Sequence, residues 1–153
     1  MLALTFQVGK DRVAVDVQHI REVVPRVHLQ TLAGSPAWLA GLFVHRGRVV
    51  PVIDLFRLTG SEECPPHLSS RIILVPRPGQ EGSLLGLLAT QVADLREIPT
   101  EGVSRLERGS TNEPHLGSLL AEGANTIRLL NPMCLLPAAA MAMLNSTVPA
   151  GAP

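Results

Sequence analysis

Apolar and polar residues alternate from the first positions: Leu2, Leu4, Phe6 and Val8, then Val13, Val15 and Val17. A period of two rich in β-branched residues predicts two strands, each with one buried face, and Gly9-Lys10-Asp11 between them has turn chemistry. The spacing then changes. Ile20, Val23 and Val24 recur at helical intervals behind Asp16, a natural N-cap, and Pro25 closes the segment because proline has no amide hydrogen. Ser35-Pro36 has the cap-then-proline form of a helix start, so a short helix is expected over Ala37–Ala40, ending at Gly41. Residues 42–45 and 48–53 predict a hairpin turning at Arg46-Gly47, where glycine accepts positive φ. Pro51 in its second strand predicts an edge position or a bulge. Asp54 can cap a brief turn over Leu55–Leu58, which Gly60 terminates.

Residues 61–70, SEECPPHLSS, form a polar connector with two prolines. Strand patterns return at Arg71–Val75 and Ser83–Ala89, joined by a Pro/Gly loop at 76–82 in which Arg77-Pro78-Gly79 has the composition of a solvated turn. Residues 100–114 read as polar and irregular. Leu116–Ala121 and Thr126–Leu130 predict a hairpin around Glu122-Gly123-Ala124-Asn125. Asn131-Pro132 repeats the cap-then-proline signature, residues 133–144 fit a terminal helix, and a flexible tail is expected over 145–153.

The chain matches itself. VAVDVQHIREV (Val13–Val23) aligns without gaps to LATQVADLREI (Leu88–Ile98), with Ala14/Ala89, Val17/Val92, Arg21/Arg96 and Glu22/Glu97 identical. Gly41-x5-Gly47 is answered by Gly117-x5-Gly123, and Asp54 by Asn131 as caps. Short strand patterns resemble one another readily, so chance is the competing explanation. A true repeat, over roughly 1–60 and 71–137, implies two small antiparallel sheets of about five strands. Each alone would expose its edges and have too little core, so the halves would curl into barrels and pack together.

Composition narrows the function classes. The 153 residues fit one domain, and 46% apolar content is enough for a core. No apolar run approaches the roughly 20 residues of a membrane span, and MLALTFQVGKDRV lacks the build of a signal peptide, which together favour the cytoplasm and no direct membrane insertion. The 13 basic and 13 acidic residues cancel; the first 60 positions carry seven and four, the remainder six and nine. That split is too weak for nucleic acid, and one Trp, three Phe and no Tyr leave little for base stacking.

Candidate chemistry is sparse. Cys64-Pro-Pro-His67 has ligand-like spacing but no second pair to complete a zinc site, and it reads as an exposed loop. His45 lacks an evident Ser, Cys or carboxylate partner nearby in sequence, and His19, His28 and His115 are no better placed for general-base work. A single lysine, Lys10, and no glycine-rich phosphate loop argue against a nucleotide enzyme. Arg46-Gly47-Arg48 can hold an anion, although a surface hairpin tip is the commoner role for such a triplet. Cys64 and Cys134, far apart, are expected to be free thiols.

Gly41–Leu55, GLFVHRGRVVPVIDL, fits the pattern G-[LV]-x-x-x-R-G-x-[VI]-x-P-[VI]-x-D-L and resembles the CheW family of chemotaxis coupling proteins. Upstream, Phe6, Gly9, IREVVP (Ile20–Pro25) and LAGSPAWLAG fit the same family in order, and the likeness extends over about residues 2–137. The resemblance implies a mainly β fold of two pseudo-repeated five-stranded SH3-like barrels with short helices. It implies a non-catalytic adaptor without cofactor or metal, coupling the chemoreceptor cytoplasmic tip to the regulatory domain of a CheA-type histidine kinase. Carried over residue by residue, the receptor-side positions are Ile20 and Glu22 on the expected first helix, Gly41, and Arg46 in the turn. Gly47, Pro51 and Asp54 match motif positions with structural roles. His45 stands where the family commonly has an apolar residue. The alternative is a regulatory module or inhibitor of this fold acting on another signalling protein.

Overall fold

The alternating N-terminal residues form β1 (Leu2–Val8) and β2 (Asp11–Asp16), turning at Gly9, whose φ is +60°. These and all later elements come from a computed structural model, which describes residues 1–60, 62–66, 68–93, 95–98, 105–106, 118–122 and 125–148. Then follow β3 (Glu22–Pro25), β4 (Leu39–His45), β5 (Arg48–Asp54), α1 (Leu55–Thr59), β6 (Arg71–Pro76), β7 (Leu84–Ala89) and β8 (Leu95–Glu97). The last elements are β9 (Arg105–Leu106), β10 (Ser118–Glu122), β11 (Asn125–Leu129) and α2 (Ala138–Thr147).

The described strands form two sheets, ordered β8-β1-β2-β11-β10-β9 and β3-β6-β7-β5-β4. Advancing each first-half strand to its second-half counterpart, and the reverse, converts β3-β6-β7-β5-β4 into β8-β1-β2-β11-β10. The internal repeat is thus visible in the topology. It does not give one sheet per half: each sheet combines strands from both, through the parallel pairs β2/β11 and β5/β7. That exchange pairs strand edges that separate five-stranded sheets would leave open. The Arg105–Leu106 strand adds a sixth member to one sheet, in a stretch whose composition reads as irregular.

Two predicted helices are absent and a third begins later than expected. Asp16 does act as a cap, its carboxylate accepting from Gln18 N at 3.0 Å, but of a single 3-10 turn over Val17–His19. Val23 and Val24 are then extended in β3, paired with Ile73 and Ile72. A strand edge there outcompetes a weak helical pattern of three apolar residues. Ala37 and Trp38 form a turn and Leu39 already begins β4, where pairing with Ile53 decides the conformation. At the C-terminus, residues 132–134 form a 3-10 turn capped by Asn131, and α2 starts only after Pro137, which restricts the residue before it. The helix continues to Thr147, with Leu144 and Val148 buried, so the expected tail is packed as far as 148.

Burial on both strand faces is the second correction. The inter-sheet core takes Leu4, Phe6, Val8, Val13 and Val15 from one side and Ile53, Ile73, Val75, Leu85 and Leu87 from the other. The opposite face of β1 and β2 is also covered, Ala3 and Ala14 packing with Ile98, Leu120 and Ile127. A third cluster holds Val50, Val52, Cys64, Ile72, Leu74 and Leu88. Burying a Leu or Phe completely contributes roughly 1.5–3 kcal/mol, so these clusters dominate the stability.

Pro51 lies on an interior strand. Leu42 is its partner on β4, and Leu42 exchanges both backbone bonds with Gln30 instead, at 2.8 and 2.9 Å. The position facing Leu42 therefore needs no amide hydrogen, and pairing with β7 begins one residue later at Val52. The bulge lies across the hairpin, between Leu39 and Gly41.

Arg77 is buried rather than solvated, at 3% exposure. Its guanidinium donates to Asn145 Oδ1 at 3.0 Å and to the carbonyls of Leu144 and Val148, placing a cation on the C-terminal end of α2. Desolvation lowers its pKa. Cys64 is likewise enclosed rather than exposed in its loop, and burial followed by the Asp54 charge raises its thiol to about 11, whereas Cys134 is exposed. Thiol titration of the native chain at neutral pH is therefore expected to modify Cys134 promptly and Cys64 only on unfolding. Equal rates at the two would contradict this packing. His67 lies outside the described residues.

Candidate functional site

The β4–β5 hairpin ends in a two-residue turn with both central residues left-handed: Arg46 at φ +51° and Gly47 at +78°. Such turns match the twist of the strands and favour Asn or Gly at the first position, where an arginine is strained. Arg46 nevertheless stands there, its side chain 76% exposed. Arg46→Asn is expected to raise stability by about 0.5 kcal/mol, because relief of strain exceeds the loss of one surface ion pair. Urea denaturation measures this; a less stable variant would mean that the turn imposes no such cost.

Arg46 is tethered to the far side of the sheet. Its Nη2 donates to Glu22 Oε1 at 3.3 Å, and His45 Nε2 lies 2.9 Å from Glu22 Oε2. Glu22 opens β3 and His45 closes β4, the two edge strands of the five-stranded sheet. These side chains join the opposite edges. His45 is enclosed by this contact and by the ring of Phe43, edge-on at a centroid distance of 6.0 Å. The carboxylate partner that His45 lacks in the local sequence is supplied 23 positions away.

Two concavities flank the tip and share His45 and Val49. One, of about 680 Å³, is lined by Arg21, Glu22, Arg46 and Arg48 and closed by Gly82 and Ser83. Arg48 is held there by a bond from Nη1 to Gly82 O at 3.0 Å. The other, about 580 Å³, is mostly apolar, with Val24, Val27, Leu42, Phe43 and Val44. Val44 is 68% exposed, unusual for a valine on a strand. Three arginines against one glutamate on one side and open aliphatic surface on the other suit an acidic, amphipathic protein segment.

The sequence-derived site residues are only partly brought together. Glu22 and Arg46 are in direct contact, though Glu22 is on a strand, not a helix. Ile20 is half-buried and packs against the inter-sheet core. Gly41 is buried in β4 at φ +150°, and a Cβ there would meet Gln30 O at 2.7 Å and Leu29 Cβ at 2.9 Å. The close approach it permits is to its own chain. Asp54 is buried and caps α1, accepting from Phe56 N at 2.9 Å and Cys64 N at 2.8 Å. The sequence places Arg48 with Arg46 at the hairpin tip, but offers no local signal that His45 and Arg21 join the same cluster. His19 is half-buried and His28 exposed, while His115 lies outside the described residues.

The family model for the CheW-like domain matches residues 2–140. Protein FrzA of Myxococcus xanthus is 33% identical over 130 residues, covering 82% of this chain and 79% of that protein. Chemotaxis protein CheW of Treponema pallidum is 26% identical over 105 residues, covering 65% of this chain and 59% of that protein's length. Among solved structures, the scaffolding protein TtCheW from Thermoanaerobacter tengcongensis superimposes with a TM-score of 0.75 at 21% identity, over 89% of this chain and 87% of that one. The mainly β architecture in two sheets is therefore the fold of that scaffolding protein.

Proposed function

The chain belongs to the CheW-like domain family, and on that premise we propose that it is a non-catalytic adaptor in a chemotaxis or chemotaxis-like pathway, acting in the cytoplasm. It couples the cytoplasmic tip of a chemoreceptor to the regulatory domain of a CheA-type histidine kinase. The receptor side is the β4–β5 hairpin tip with its two concavities. Arg46 and Glu22 supply charge complementarity, Ile20 apolar packing against the inter-sheet core, and Gly41 the strand geometry. The observation that carries this reading is Arg46 itself: an exposed guanidinium kept in a left-handed turn position that disfavours it, at the tip of a hairpin whose second strand is buried from Val50 to Asp54.

Reconstitution tests it. The purified chain, mixed with a soluble receptor-tip fragment and a kinase regulatory domain from the same cell, is expected to join both in one complex by size exclusion. Binding to the kinase domain without the receptor fragment would favour a regulatory module or inhibitor. Binding to neither would defeat the proposal.

A further inference from the structure

Glu22 has two carboxylate oxygens, and the two residues at the hairpin tip divide them. His45 Nε2 lies 2.9 Å from Oε2, while Arg46 Nη2 reaches only Oε1, at 3.3 Å. The imidazole is 16% exposed and braced by the Phe43 ring, whereas the guanidinium is 76% exposed. An arginine beside a free carboxylate frequently takes both oxygens, because the planar fork matches them in a bidentate pair. Here one oxygen is already occupied. Arg48, the other arginine at the tip, is directed to Gly82 O.

We infer that His45 is a positioning residue for Arg46: by holding one oxygen of Glu22 it restricts the guanidinium to a single long contact and leaves its remaining donors facing outward for a docking partner. The inference rests on the docking role proposed above for its purpose, but its geometry concerns this chain alone. Without His45, Glu22 turns both oxygens to Arg46 and draws the guanidinium down against the seam between β3 and β4. An apolar residue at position 45 can fill the space beside Phe43 but cannot perform this division. His45 thus acts through Arg46 and need not touch the partner.

The test needs no partner. Phenylglyoxal modifies accessible guanidinium groups, and peptide mapping reads the rate at Arg46 in the full chain. His45→Leu is expected to slow that rate on the order of fivefold, the scale of a surface ion pair. His45→Gln, which keeps a donor for Oε2, reacts like wild type. Glu22→Gln reacts at least as fast as wild type, and His45→Leu combined with Glu22→Gln recovers that rate, a non-additivity that simple loss of packing would not produce. An unchanged or faster rate in His45→Leu overturns the inference, as does a slow double variant. Glu22→Gln reacting more slowly than wild type overturns it independently, so the test survives a His45→Leu chain that fails to fold. Binding of a soluble chemoreceptor-tip fragment should rank wild type, His45→Gln and His45→Leu, in which both charged contact residues are kept, in the same order. Reactivity that follows the order while binding ignores it would defeat the docking reading and leave the positioning of Arg46 intact.

Discussion

Asp54→Ala is expected to destabilise the fold by about 3 kcal/mol, because the lost cap and a buried amide left without an acceptor add together. The carboxylate satisfies Phe56 N at 2.9 Å and Arg57 N at 3.5 Å in the first turn of α1, and its other oxygen takes Cys64 N at 2.8 Å. One side chain therefore starts the helix and pins the connector beyond it to the third core cluster. Burial raises the Asp54 pKa above its ordinary value even though three N–H groups and the Arg26 charge oppose it. The folded chain consequently holds the Asp54 proton more tightly than the unfolded chain. Ionisation costs stability as pH rises through the window between the two values, so the gap between wild type and Asp54→Ala is expected to be wider at pH 3 than at pH 7. Urea unfolding at both pH values measures it. A gap that narrows in acid would show that hydrogen bonding outweighs desolvation.

Gly41→Ala should cost a similar amount, about 3 kcal/mol, for an unrelated reason. A methyl group would stand 2.7 Å from Gln30 O and 2.9 Å from Leu29 Cβ, both on backbone or at the root of a side chain, where nothing flexible can yield. The φ of +150° adds strain for any L-residue with a Cβ. Relief requires separating β4 from the 29–30 segment and breaking the two Gln30–Leu42 bonds. Any loss of docking in this variant is then expected to track unfolding. A Gly41→Ala chain with wild-type stability and no docking would instead put Gly41 in direct contact with the partner.

Why these positions were legible to different degrees follows from how far each interaction reaches along the chain. The Arg46-Gly47 turn, the Asp54 cap and the Asn131 cap are settled within four residues, and all three are found where the local pattern places them. The strand pair β1/β2 and the repeat also depend on local periodicity. Val23 and Val24 misled because a three-residue helical spacing cannot compete with a free edge on β6, a feature encoded some 50 positions away. Arg77 read as solvent-facing because its acceptors, the last carbonyls of α2, lie 67 to 71 residues downstream. The Glu22–His45 contact was invisible for the same reason: it exists only once both edges of one sheet are brought together. Family pattern supplied Arg46 and Glu22 as a pair of charges, but not the imidazole between them.

The most direct measurement of the docking claim is the affinity of the Arg46→Glu chain for a soluble receptor-tip fragment, set beside its affinity for the kinase regulatory domain. Charge reversal at an exposed turn should leave the fold intact and weaken receptor binding on the order of 100-fold, with kinase binding within about twofold of wild type. A folded Arg46→Glu chain that binds the receptor tip as tightly as wild type would contradict the account.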